Sequence, residues 1–560
     1  MIPSTHSKFV RHPLLVVLTF FLGHACSVSP PGGVAAASAV VMPLTKLARG
    51  ERLYRDGLRA DGTPIAAIVA GDIRVQGTQF TCVSCHQKSG MGSSESWLVA
   101  PPITPQMLFA PLTQGPHRRP AYTHETLGRA IVEGIDPAGQ ELEAPMPRYD
   151  LSADDLDDLL LYLATLSAEA SPGVTPEEIH FATVVAGEVD ATPMLEVLDL
   201  FVDEKNRNTR NETGRARRGP FHRSNVNESY RRWVLHTWKL GGSPDTWTEQ
   251  LEEFYERQPV FALLSGITAG QWDSVQSFCE ERKLPCLLPN VDLPPEGVSE
   301  YTLYYSRGLR LEAARIAEAA GEGARPKIFQ VFRKGTPGGM AAQALQTELA
   351  RRELPPAVGI EIPARRPTSH GDLGDIDLGP LMEAPEPSLV VLWGSPADLT
   401  LLANQGIRET GAGIIVSSTL LDGSLSDLPP ALVGRARIAH PFRVPVDYAR
   451  AARRVELWLQ HRGIETGTDV GAAHRRVQLQ THFACMLVGD AFMHIKYDDY
   501  FRDYVLECID HMSVIANFCA SHPSLSFGPG QRFLSKGCYL LEPDELAAGP
   551  KSVGERWRVP

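Results

Sequence analysis

The run Cys82-Val83-Ser84-Cys85-His86-Gln87-Lys88 decides how the first part of the chain folds. Two thiols three positions apart, followed at once by an imidazole, form the C-x-x-C-H pattern of covalent haem attachment. At that spacing both thiols can add to the two vinyl groups of one haem, and the adjoining imidazole can reach the iron. A dithiol redox pair is the other reading of the same two thiols, and the histidine beside them argues against it. No second C-x-x-C-H occurs in the 560 residues. One covalently attached haem c is therefore expected, anchored by Cys82 and Cys85 and ligated by His86.

The flanking sequence is helical on both sides. LTKLARGERLY (Leu44 to Tyr54) precedes the motif, and LSADDLDDLLLYLATL (Leu151 to Leu166) follows it. In the second run Ser152 is placed to cap the helix, with Asp155 three residues later as in a capping box. Leu156, Leu159, Leu160, Leu163 and Leu166 make an apolar stripe. Asp154, Asp157 and Asp158 are expected on the solvated side, near the helix start where its dipole favours negative charge. Between motif and helix lies APMPRYD (Ala144 to Asp150), whose Met146 stands sixty residues beyond His86. A loop of that length can cross the opposite haem face, so Met146 is the expected second iron ligand. Met91 is too close in sequence to reach that face.

These motifs together resemble a class I cytochrome c domain over residues 43–168. Gly50 with Tyr54 resembles the family's first helix, CVSCH its attachment site, and MPRY with LSADDLDDLLLYL its distal-ligand loop and last helix. The resemblance implies that the two terminal helices cross closely at Gly50, with Tyr54 or Tyr162 packed there. It also implies a one-electron carrier, because two occupied axial positions leave no open iron site.

Residues 169–177, with Pro172 and Pro176, read as a linker, and HFATVVAG (His180 to Gly187) as a first strand. A polar, arginine- and asparagine-rich interval from Asp203 to Arg232 offers few side chains to bury and reads as a surface excursion. Beyond it short apolar runs alternate with helical ones: PVFALLSG, WDSVQSFCEERK, LPCLLPN, LRLEAARIAEAA, PKIFQVFR, MAAQALQTELARR, LVVLWGS, GIIVSS. That rhythm belongs to parallel strands covered by helices. The fold class is thus α+β multidomain, a small all-α domain followed by a bilobed α/β region.

The α/β part, residues 178–546, resembles the type I periplasmic solute-binding fold of receptors related to branched-chain amino-acid binding proteins; 547–560 reads as a C-terminal tail. The resemblance implies two lobes closing on a small organic solute. Ligands of such sheets sit beyond the carboxyl ends of the strands, which makes Ser265, Asn290, Gly338, Trp393 and Ser417 the solute-cleft candidates. The family's amino-acid clamp does not map onto Val291-Asp292-Leu293-Pro294. GTPGG and FGPGQ lack a nucleotide-binding pattern, and no catalytic constellation is assigned.

Residues 1–39 read as an export signal, with Lys8 and Arg11 before the apolar run Leu14 to Phe21. Cys26 follows Gly23-His24-Ala25, which lacks the aliphatic residue of a lipoprotein signal. The expected location is the periplasm, soluble rather than lipid-anchored, with no transmembrane segment in the mature chain. Nine cysteines in an oxidising compartment permit disulfides, Cys279 with Cys286 being the first pair to test. A net charge of -12 argues against general nucleic-acid binding. The function expected is electron transfer, with the large module docking a periplasmic redox partner such as a dehydrogenase or sensing a small solute. A receptor for an ABC-type importer with an accessory haem, and a haem enzyme with a displaceable distal ligand, are the alternatives; a carrier is expected over a catalyst.

Overall fold

The computed structural model describes residues 44–560 apart from 96–97, 114–117, 217–230, 298, 324, 364–375, 385–386, 427, 468–469, 496–498, 513–520, 527 and 549–555. The export-signal segment, Cys26 and Cys519 lie outside the described residues. Lys46–Pro560 form one compact unit.

In the first part the Lys46–Asp56 helix crosses the Ala153–Thr165 helix. The crossing is close because Gly50 has no side chain: a Cβ there would stand 2.1 Å from the Asp158 carbonyl oxygen and 2.8 Å from Tyr162 Cβ. Tyr54 and Tyr162 pack beside it with ring centroids 5.4 Å apart. Ser152 caps the second helix by accepting from Asp155 N at 3.1 Å. The Asp155 carboxylate takes the Ser152 hydroxyl at 2.8 Å and Arg59 at 3.0 Å, so it anchors the preceding loop as well. Asp158 departs from expectation. It is only 4% exposed and receives Arg49 Nε at 2.6 Å. The crossing covers its face of the helix, and the arginine supplies the compensating charge. Gly50→Ala should cost roughly 1–3 kcal/mol, the range for overpacking, and toward its upper end because the obstacle is backbone. Urea unfolding of the two proteins measures it; an unchanged midpoint would contradict the close crossing.

This mostly helical region also holds a three-stranded antiparallel sheet, ordered Ile73–Gln76, Ala66–Val69, Arg148–Asp150. Pairing of Ala67 with Tyr149 directs the segment after Met146 back toward the attachment motif.

Two further sheets make the α/β lobes. The first runs Thr302–Leu303, Cys286–Leu287, Ala262–Leu264, Glu178–Ala186, Arg232–Leu240, all parallel, with Ile267–Thr268 added to Glu178–Ala186. The second runs Val358–Glu361, Lys327–Phe332, Ser388–Trp393, Gly413–Ser417, Ala436–His440, Tyr539–Leu541, parallel except for its last pair. Strands such as Ala262–Leu264 and Leu389 to Trp393 are buried along their whole length. Their unbroken apolar runs are what a sheet covered on both faces requires.

The polar interval beginning at Asp203 is not an excursion at first. The backbone stays helical over Thr192–Ala216. Met194, Val197 and Leu198 anchor the helix with no exposed surface, and the glutamate, lysine and arginine that follow are good helix formers that extend it at little cost. A long helix at Ala472–His494 and a short one at Arg502–Asp510 cover the first sheet. At the chain end Trp557 packs on Tyr539 at 4.7 Å and Arg558 bridges Cys538, against the second sheet.

Candidate haem-attachment site

Cys82–His86 forms a single helical turn that brings Cys82, Cys85 and His86 together. The turn is held at both ends by tyrosines from distant elements. Tyr149 O–H donates to the Phe80 carbonyl at 2.7 Å, just before Cys82, and Tyr54 O–H donates to the Gln87 carbonyl at 2.6 Å, just after His86. Ser93 Oγ donates to the Cys85 carbonyl at 2.8 Å.

His86 is 7% exposed, and burial lowers its pKa, so the ring is neutral. Its Nδ1 lies 3.0 Å from the Pro101 carbonyl oxygen. A carbonyl only accepts, so Nδ1 carries the proton and Nε2 keeps its lone pair, the form in which imidazole binds a metal. Burial pushes the Cys82 thiol up to about 11. A dithiol redox pair depends on a lowered thiol pKa, and Cys82 moves the other way. Cys82 and Cys85 are both unpaired and half-buried. The donor set therefore fits covalent c-type haem: two thiols on one turn, neither in a disulfide, and a neutral imidazole with a fixed tautomer.

Met146 packs, half-buried, against the same core that takes Cys82, Val83 and Tyr149. It directly precedes Pro147 and the Arg148–Asp150 strand. Met91 is not part of that core among the described residues. Its backbone N–H is bound instead to Ser89 Oγ at 3.1 Å.

The loop after His86 is fastened to the first lobe. Glu507, on the Arg502–Asp510 helix, accepts from Ser89 N at 2.8 Å and from the Ser89 hydroxyl, while Lys88 Nζ meets Glu300 at 2.6 Å. Sequence reading missed Pro101, Tyr149 and Glu507. The first acts through a carbonyl that any residue possesses. Glu507 left one signal, a carboxylate between Leu506 and Ile509 on a buried helix face.

Burial holds the Glu507 carboxyl protonated up to about 8, against 4.5 for the ordinary group. Folding therefore retains a proton that the unfolded chain gives up near 4.5. The stability linked to that proton is complete below about pH 4.5 and is lost as pH rises through about 8. Glu507→Gln should lose less stability than the parent between about pH 5 and about pH 8. Urea unfolding at both ends of that window measures it, and equal losses would contradict the assignment.

The five strand-end candidates do not converge. Asn290 Nδ2 donates to Ser265 Oγ at 3.0 Å and to Thr481 Oγ1 at 3.3 Å. In the other lobe Gly338 lies against Trp393, where a Cβ would stand 2.2 Å from the Trp393 carbonyl oxygen. Ser417 accepts from Leu420 N at 3.3 Å, beside Glu312 and Thr419. Ser265, Trp393 and Ser417 have no exposed surface, and Asn290 is 8% exposed. Between the two sets Arg476 bridges Asp292 at 2.5 Å and Asp422 at 2.9 Å. Cys279 and Cys286 are buried free thiols in hydrogen-bonding contact.

Comparison with known proteins gives a separate result for each part. No curated protein sequence matches the chain. A possible leucine/isoleucine/valine-binding protein from Rhodopirellula baltica SH 1 is similar over 67% of this chain and 97% of its own, at 13% identity and a TM-score of 0.42. A fatty acid ABC transporter substrate-binding protein from Thermomonospora curvata is similar over 68% and 92%, at 16% identity and a TM-score of 0.40. A branched-chain amino acid ABC transporter protein from Thermus thermophilus with bound valine is similar over 65% and 94%, at 13% identity and a TM-score of 0.43. Residues 76–167, which contain the attachment turn, Met146 and the capped last helix, match the cytochrome c family.

Proposed function

We propose that the protein is a periplasmic one-electron carrier whose bilobed region holds the haem segment in place and docks a redox partner. The observation that carries this reading is the His86–Pro101 hydrogen bond, which fixes a neutral imidazole beside the two thiols. The haem, when bound, supplies a reversible one-electron couple. In this reading His86 and Met146 would hold its iron, and Cys82 and Cys85 would anchor it. Tyr54 and Tyr149 hold both ends of the turn that carries His86 through their hydrogen bonds to the Gln87 and Phe80 carbonyls.

Support for a docking role comes from the Ser89–Glu507 and Lys88–Glu300 contacts, which tie the loop after His86 to the first lobe. A partner seated on the lobe meets the haem at a raised effective concentration, with no change of shape required. A dehydrogenase is the partner class of this reading, the two electrons taken from its substrate passing to the carrier in two successive one-electron steps. Among the described residues no helix is long and apolar enough to cross a membrane. Stopped-flow mixing with periplasmic dehydrogenases, in the presence and absence of small solutes, tests the reading. Rapid haem reduction by one of them supports it. Failure of every donor together with tight solute binding would favour an import receptor instead.

A further inference from the structure

One side chain bridges the two lobes. Arg476 lies near the start of the Ala472–His494 helix, which packs on the first sheet through Phe483, Ala484 and Val488. Its Nη1 donates to one carboxylate oxygen of Asp292 at 2.5 Å and its Nη2 to the other at 3.1 Å, while Nη2 also donates to Asp422 at 2.9 Å. Asp292 follows the Cys286–Leu287 strand of the first sheet, and Asp422 follows the Gly413–Ser417 strand of the second. The contact with Asp422 therefore crosses between the lobes. The contact with Asp292 stays within one lobe and aims the guanidinium, as a two-point carboxylate pair does. Arg476 is 9% exposed, so the bridge is screened from water.

Asp422 is held in place for this contact at a conformational cost. Its φ is +52°, a region that side chains other than asparagine and aspartate seldom enter and that glycine adopts without strain. The turn is fixed by Asp422 N–H donating to the Thr419 carbonyl at 3.0 Å and Gly423 N–H to the Ser418 carbonyl at 2.8 Å. The next turn of the same helix covers the strand ends of the first lobe. Thr481 Oγ1 accepts from Asn290 at 3.3 Å, and the Gln480 carbonyl accepts from the Tyr305 hydroxyl.

We infer that Arg476 latches the lobes together through Asp422, so that their closure is built into the chain and needs no bound solute. Closure driven by a ligand depends on contacts that only the closed state makes. Here a side chain makes such a contact. The latch gives a docked partner a fixed surface in place of two moving lobes. It uses no property of the haem, so its failure leaves the electron-carrier reading standing, and failure of that reading leaves the latch intact.

Hydrogen exchange of the full haem-bearing chain, read by mass spectrometry, tests the latch with Asp422→Asn and Asp292→Asn. Asparagine keeps the size of the side chain and tolerates the positive φ, and the Asp422 side chain is 35% exposed, so the first variant folds. The expected result for Asp422→Asn is exchange at least about tenfold faster over residues 286–292 and 416–423, the scale of one charge-assisted hydrogen bond lost from a local opening. The core strands Ala262–Leu264 and Lys327–Phe332 should be unchanged, and Asp292→Asn, which spares the crossing contact, should give a smaller rise. Unaltered exchange in Asp422→Asn, an equal rise in the core strands, or a rise as large in Asp292→Asn would overturn the inference.

Discussion

The Cys82→Ser, Cys85→Ser double variant should carry no haem after denaturation, where the parent keeps one haem per chain. Both thiols sit on the Cys82–His86 turn and are unpaired, so each is available for a thioether bond. Serine keeps the size of the side chain and removes the sulfur. His86 with its bond to Pro101, and Met146, are unaffected, so any haem the variant retains would be held by these two side chains without a covalent bond and would leave when the chain unfolds. Haem staining of a denaturing gel, scored beside total protein, reads the result. Haem that stays with the variant, or a parent that never carries it, would contradict covalent attachment at these two residues. The second outcome would return the thiols to the dithiol reading, which the raised Cys82 pKa disfavours.

Met146→Ala should lower the reduction potential by on the order of 0.1 V or more, within the span of about 0.8 V that axial ligands set. A thioether stabilises ferrous iron, and its loss favours the ferric state. Met91→Ala is the matched control. Met146 packs with Cys82, Val83 and Tyr149, whereas Met91 is not part of that core. Potentiometric titration of the two variants separates the candidates. A shift in Met91→Ala with none in Met146→Ala would exchange their roles.

What could be read in the sequence was local. Cys82, Cys85 and His86 lie within five residues, Ser152 caps its own helix, and the strands of both lobes are short apolar runs whose meaning does not depend on distant partners. Gly50 was legible because a resemblance supplied its partner helix. The features that escaped are set by contacts across the chain. Asp158 is buried by an arginine 109 residues away. Glu507 meets Ser89 across 418 residues. The strand-end candidates were placed by topology, but Arg476 arrives between them from a helix 184 residues beyond Asp292, and no local pattern announces it. The Thr192–Ala216 helix is hidden in the sequence for another reason. Its polar composition points away from regular structure, yet the apolar anchor at Met194 to Leu198 is enough to propagate the helix into polar sequence.

In the proposed function His86 and Met146 would both hold the haem iron, so that the protein would carry electrons rather than bind substrate at iron. Adding carbon monoxide to the reduced full-length protein tests this most directly. The expected result is no fast change in the haem spectrum of the parent and prompt, stoichiometric binding in Met146→Ala. Prompt binding by the parent, unaltered by the substitution, would show an open iron site and contradict it.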